Sequence, residues 1–185
     1  MTGRDNPKLR TRSTLYDLLS GVKEKVPEIN AKSVNTDNTS IENIGANAHP
    51  TSEQNIPHDT VVRVNIDSIS SLNDENISVD FSNNEFVVEK GGKYAITGAG
   101  RVRSDSNWSD GDRIQLRLIV NGKVLAETYG RKSGAGGQSI PLVRKVSELS
   151  QNNSIHLETY QDSGGDKELT GLDGRATFIE VTRVG

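Results

Sequence analysis

The stretch Ile114-Gln-Leu-Arg-Leu-Ile-Val-Asn121-Gly122-Lys-Val-Leu-Ala-Glu-Thr-Tyr129 decides the fold class. Two apolar, β-branched runs flank Asn-Gly, the strongest short-range signal for a two-residue hairpin. A type I′ turn needs positive φ at both central residues, and Asn-Gly accepts this at least cost. With that turn, simple pairing sets Leu118 opposite Leu125 and Ile114 opposite Tyr129. Ile114, Leu116, Leu118, Val120, Leu125 and Tyr129 are then expected on one, core-facing side. Gln115, Arg117 and Thr128 go to the other, with Ile119, Val124 and Ala126. The last three form an apolar patch away from the presumed core, so they are expected at an oligomer interface. A lone hairpin is not stable in water, so further strands must cover it.

Those strands are supplied from residue 58 onward. Thr60–Ile66, Ile77–Phe81, Glu85–Glu89 and Lys93–Val102 precede the hairpin; Ser139–Val146, Ser154–Tyr160 and Ala176–Val184 follow it. Turn residues separate them: Asn83-Asn84, Gly91-Gly92 and the Gly-rich Ser133–Gly137. Eight or nine short strands without helical crossovers indicate an all-β, antiparallel sandwich or barrel. Pro141 within a strand marks an edge or a bulge.

The order of these motifs resembles a known family. Phe86-Val-Val-Glu-Lys-Gly-Gly-Lys-Tyr94 is similar to the Gly-x-Tyr strand start of tumour necrosis factor and complement globular-head (gC1q) jelly rolls. The Asn121-Gly122 hairpin resembles their central hairpin. Leu149–Leu157 is similar to the approach to their penultimate strand, with Asn152-Asn153 in place of the usual Gly-Asp. Ala176-Thr-Phe-Ile-Glu-Val181 resembles their final core strand. The resemblance spans roughly residues 58–185. It implies a jelly-roll head that trimerises and binds partners rather than catalysing a reaction.

In front of this head the chain changes character. Residues 4–12 form an extended basic arm with Arg4, Lys8, Arg10 and Arg12. A short helix is expected over roughly Leu15 to Lys25. Thr14 and Asp17 make its capping box, and Pro27 stops it. Leu15, Leu18, Leu19 and Val22 share one face, which must dock on something because so short a helix is marginal alone. The candidates are the chain's own head, sister copies or another protein. Residues 28–57 are rich in Asn, Ser and Thr, with apolar residues too sparse to fold alone, and read as a polar shaft and linker. An arm, a helix and a shaft ahead of such a head resemble viral fibres, spikes and capsid decorations. That resemblance implies a virion structural protein. Residues 1–27 would anchor to other virion proteins, and an oligomeric head, a trimer, would project toward a host receptor or glycan. A cellular or secreted ligand- or glycan-binding module is the alternative.

Composition bounds the rest. The 185 residues suit one domain plus an extension, and the 32% apolar fraction leaves part of the chain without a core. A net charge of −3 excludes a strongly basic nucleic-acid binder and leaves room for local patches; no nucleic-acid partner is expected. With no cysteine there is no disulfide or thiolate chemistry. No run reaches the length of a membrane span, and the first residues lack the apolar segment of a signal peptide. The expectation is therefore a soluble protein made in the cytoplasm, without membrane insertion.

No catalytic or cofactor motif is recognisable. His49, His58 and His156 are scattered, and G-x-S-x-G, Walker and G-x-G-x-x-G patterns are absent. Asp105, Asp110 and Asp112 concentrate oxygen ligands ahead of the hairpin and are weak candidates for Ca²⁺. The glycine falls one place late for an EF-hand, and Leu116 stands where a bidentate Glu is needed. A solvated loop of Asx turns is the simpler reading, there and at Asp162–Asp166. Trp108, the single tryptophan, is a candidate interface anchor, a lid on the core or a stacking surface for a ligand. Four Asn-x-Ser/Thr triplets, at Asn38, Asn76, Asn107 and Asn152, are close to the number chance supplies.

Overall fold

The computed structural model describes residues 45–72, 75–103, 109, 111–131, 138–171 and 176–184, with the side chains of 138–141 excepted. The expected arm and helix, with Leu15, Leu18, Leu19 and Val22, lie outside the described residues, as do Asp105, Trp108 and Asp110.

Thirteen strands are present among the described residues. They are β1 (Gly45–His49), β2 (Gln54–Ile56), β3 (Val62–Arg63), β4 (Ser68–Leu72), β5 (Ile77–Asp80), β6 (Glu85–Val88) and β7 (Gly92–Val102). After them come β8 (Arg113–Val120), β9 (Lys123–Arg131), β10 (Gln138–Leu149), β11 (Ser154–Gln161), β12 (Lys167–Leu169) and β13 (Phe178–Arg183). They build two antiparallel sheets facing each other, a jelly-roll sandwich. The first sheet runs β2-β12-β7-β13-β1-β4, with β10 along the other edge of β7. The second runs β5-β6-β11-β8-β9, with β3 beside β6 on one edge of β11.

The sandwich begins before residue 58. β1 lies between β13 and β4 inside the first sheet, with Ala46 opposite Val181 and Ala48 opposite Ile179. Ala46, Ala48 and Ile56 are fully buried. The sequence placed Gly45–Pro57 in a linker because its apolar residues are few and small. Alanines nonetheless suffice where two sheets approach closely.

Alternation explains each strand. On β8, Ile114, Leu116 and Leu118 are fully buried, while Arg113, Gln115 and Arg117 point outward. On β7, Tyr94 and Ile96 are fully buried, and the Tyr94 hydroxyl donates to the Lys90 carbonyl at 2.6 Å. Gly98 continues that inward row. A Cβ there would meet Leu157 Cδ2 at 2.6 Å and Val143 Cγ1 at 3.1 Å, so glycine is what lets the sheets close. Buried Phe86, Ile155, Leu157, Ile179 and Val181 complete the layer between the sheets.

The hairpin turn is as expected, with φ of 49° at Asn121 and 72° at Gly122. The register is not. Ile119 pairs with Val124, but Leu118 pairs with Ala126 and Ile114 with Gly130. β9 carries one extra residue, Leu125, in a β-bulge. The bulge turns both Leu125 and Ala126 toward the core, where they pack partly buried. Beyond it every side chain on β9 changes face. Tyr129, expected inside, lies opposite Gln115 on the outer face and is 63% exposed. The expected patch of Ile119, Val124 and Ala126 therefore does not form. Ala126 faces inward, Ile119 is buried, and Val124 alone is exposed. Pro141 sits where the β10–β7 register shifts, on a strand paired only to β7.

Candidate functional site: two sheet faces

The outer face of the first sheet is built from alternate residues of β10, β7, β13 and β1. Register puts Arg144, Thr97, Glu180 and Asn47 in one row across the four strands. The next row holds Val146, Ala95, Thr182 and Gly45. Small side chains at the centre leave an open hollow lined by Ala95, Thr97, Arg144, Glu180, Thr182 and Val184. Around it Leu142, Val146 and Val184 are exposed apolar side chains. Arg144 and Glu180 stand on opposite sides of Thr97, two strand spacings or about 10 Å apart. Among the described residues neither joins an ion pair. Asn47 Oδ1 is buried and meets no donor. The face thus combines exposed apolar surface, a shallow recess and charges of both signs without partners. Such a surface suits protein association rather than small-molecule chemistry.

The outer face of the second sheet is a polar lattice. Arg63 reaches the Asn83 carbonyl at 2.5 Å and Glu85 at 3.4 Å. Gln115, nearly buried, donates to Glu127 Oε2 at 2.8 Å and accepts from Arg117 at 3.1 Å; Arg117 and Glu127 lie 3.8 Å apart. Arg113 stacks over the Tyr160 ring at 5.0 Å and pairs with Asp162 at 3.4 Å. Its guanidinium is held in the charged form above the usual range, first by the Tyr160 hydroxyl and then by Asp162. Tyr160 donates to Asp59 at 2.7 Å, which pushes the phenol above its ordinary value.

His156 is set into this face and is nearly buried. Neither ring nitrogen has a hydrogen-bond partner, and Nε2 lies 3.5 Å from Glu158. Burial first, and the charge on Arg63 second, hold the imidazole pKa below 6.5. The other histidines stand apart. His49 Nδ1 is 3.0 Å from the Ser70 hydroxyl, and His58 Nδ1 accepts the Gly164 N–H at 3.0 Å.

The acidic candidates among the described residues are committed to local structure. Asp112 accepts the Ser109 N–H at 2.7 Å and donates its own N–H to the Ser109 carbonyl at 3.2 Å. Asp162 accepts the Arg113 N–H, and Asp166 accepts from Asn55 at 3.1 Å. Gln161, fully buried, fixes the loop between them by donating to Ile56 and Gly165 carbonyls and accepting from Ser163. Among the described residues no three His, Asp or Glu side chains gather as a metal site would require. None of their helices is long and apolar enough to cross a membrane.

No protein-family model matches the sequence, and no curated protein matches it. Solved structures do. Eiger TNF from S. frugiperda superposes with a TM-score of 0.59 at 11% identity, spanning 77% of this chain and 92% of that one. Murine APRIL at pH 5.0 gives 0.57 at 13% identity, over 76% of this chain and 98% of the other. The pH 8.5 form of murine APRIL gives 0.52 at 13%, over 76% and 99%. At such identities the likeness speaks to architecture alone. The two sheets, their strand order and the resemblance read from the sequence converge on one architecture: the head of this chain has a jelly-roll fold like that of the tumour necrosis factor structures.

Proposed function

We propose that this chain is a non-enzymatic, self-associating structural and binding module. Its heads pack through the outer face of the first sheet into a homotrimer. Its N-terminal segment anchors the assembly to a larger particle, a virion, and the head projects outward as a capsid decoration, fibre or spike. The observation that carries the reading is the hollow between Arg144 and Glu180, with its small-residue floor, apolar rim and unpaired charges of opposite sign. Burying that rim against a second copy takes the exposed Leu142, Val146 and Val184 out of water. The sequence pattern of residues 1–27, four basic residues followed by apolar residues at helical spacing, supports the anchoring part. A cellular or secreted ligand- or glycan-binding module is the second reading, supported by the likeness of fold to Eiger TNF and murine APRIL.

Removing residues 1–44, which spares β1, separates the two. The account expects a folded, oligomeric head that no longer incorporates into its particle. Incorporation of the truncated head would defeat the anchoring role. Binding of the isolated head to a cell-surface protein receptor, with no particle association by the full chain, would favour the ligand reading.

A further inference from the structure

The face opposite the proposed association surface carries an arginine pair that Asp162 matches at one member only. Arg113 and Arg131 stand directly opposite each other on β8 and β9. Like charges in facing positions repel, and the cost falls when an anion sits between them. Arg113 is fixed in place by the Tyr160 ring beneath it and by Asp162. Arg131 is exposed and pairs with no carboxylate among the described residues. The next outward residue on β9 is Tyr129, the aromatic ring that the bulge turned out of the core, 63% exposed. Opposite it lies Gln115, whose amide is already oriented by Arg117 and Glu127.

We infer that Arg113, Arg131 and Tyr129 form a binding site for an acidic glycan. The arginine pair takes the sulfate or carboxylate group, and the Tyr129 ring stacks on the apolar face of a neighbouring sugar. Glu127, exposed two residues before that ring on β9, adds a carboxylate that accepts from sugar hydroxyls. The face is open along the strands, which suits a chain of sugars better than an enclosed small molecule. A nucleic acid fits less well, because Glu127 stands among the arginines of these two strands and the chain is net acidic. The inference deepens the reading of the chain as a binding module and does not depend on its oligomeric state.

The test uses the full chain on immobilised glycans: a heparin oligosaccharide, a sialylated oligosaccharide, and a neutral oligosaccharide for comparison. The expected result is retention on at least one acidic glycan, weakened by added salt, with none on the neutral one. Arg131→Ala and Tyr129→Ala should each weaken binding about ten-fold or more, with unchanged melting and unchanged mass in solution. Lys90→Ala, which removes an equal charge from the exposed turn between β6 and β7, should leave binding as it was. Sulfated or sialylated preference identifies which anionic group is read. Equal loss in Lys90→Ala would reduce the effect to net charge and overturn the site. Retention unaffected by both site substitutions would overturn it too. No retention on any acidic glycan would overturn the inference, while a trimer mass in the same sample would leave the proposed self-association standing.

Discussion

Asn121 Oδ1 accepts the Ser154 N–H at 2.9 Å, and Asn121 N–H donates to the Ser154 carbonyl at 3.0 Å. The tip of the β8–β9 hairpin is thereby stitched to the first residue of β11, the strand beside it. One residue thus has two duties, since Asn121 also sits at φ 49°. Asn121→Gly keeps the turn but removes the side-chain bond, and should cost about 1 kcal/mol. Asn121→Ala adds left-handed strain of about 1–2 kcal/mol and should be the less stable variant. Denaturant titration of both measures the difference. Equal stability of the two would show that the turn geometry is not what fixes Asn121.

Closure of the sandwich rests on Gly98 against Leu157. A methyl group at Gly98 overlaps the Leu157 side chain, so Gly98→Ala should destabilise the fold by about 1–3 kcal/mol. Shortening the opposing residue, in Gly98→Ala with Leu157→Val, should recover part of the loss. Thermal melts of the single and double variants check this. A double variant no better than the sum of its two single changes would contradict the contact.

The architecture was legible because alternation and turn chemistry are local. Asn121-Gly122, the Gly-Gly-Lys-Tyr94 strand start and the inward row Ile114, Leu116, Leu118 all stand in the structure as the sequence implied. The candidate sites were not legible to the same degree. The bulge at Leu125 depends on what the opposite sheet offers to bury, and no local pattern announces it. That single extra residue moved Ala126 inward and Tyr129 outward, which removed one expected surface and created another. Arg144 and Glu180 are ordinary outward residues of two strands far apart in sequence. Only the pairing of β10 and β13 with β7 brings them to one hollow. Gly45–Pro57 was misassigned for a related reason, since Ala46 and Ala48 count as core only once their neighbours are known.

His156 makes stability sensitive to acid. It is buried in neutral form, and Arg63 from β3 opposes its protonation while Glu158 on β11 and Glu85 on β6 favour it; Ile119 of β8 faces it without charge. Its folded pKa lies below 6.5, so below that pH the unfolded chain binds a proton that the folded chain does not. Its contribution is complete above pH 6.5 and is lost progressively as pH falls toward the folded value. Melting temperature measured from pH 7.5 to 5 should drop, and His156→Phe should flatten that part of the curve. An unchanged slope in the variant would assign the acid sensitivity to other groups.

Self-association through the first sheet is the central claim, and the mass of the full chain in solution at micromolar concentration tests it most directly. The account predicts a trimer, and a Thr97→Arg variant that keeps its β-sheet signal but runs as a monomer, because a long cation fills the hollow beside Arg144. A wild-type chain that is monomeric, or a Thr97→Arg chain that remains trimeric, would contradict it.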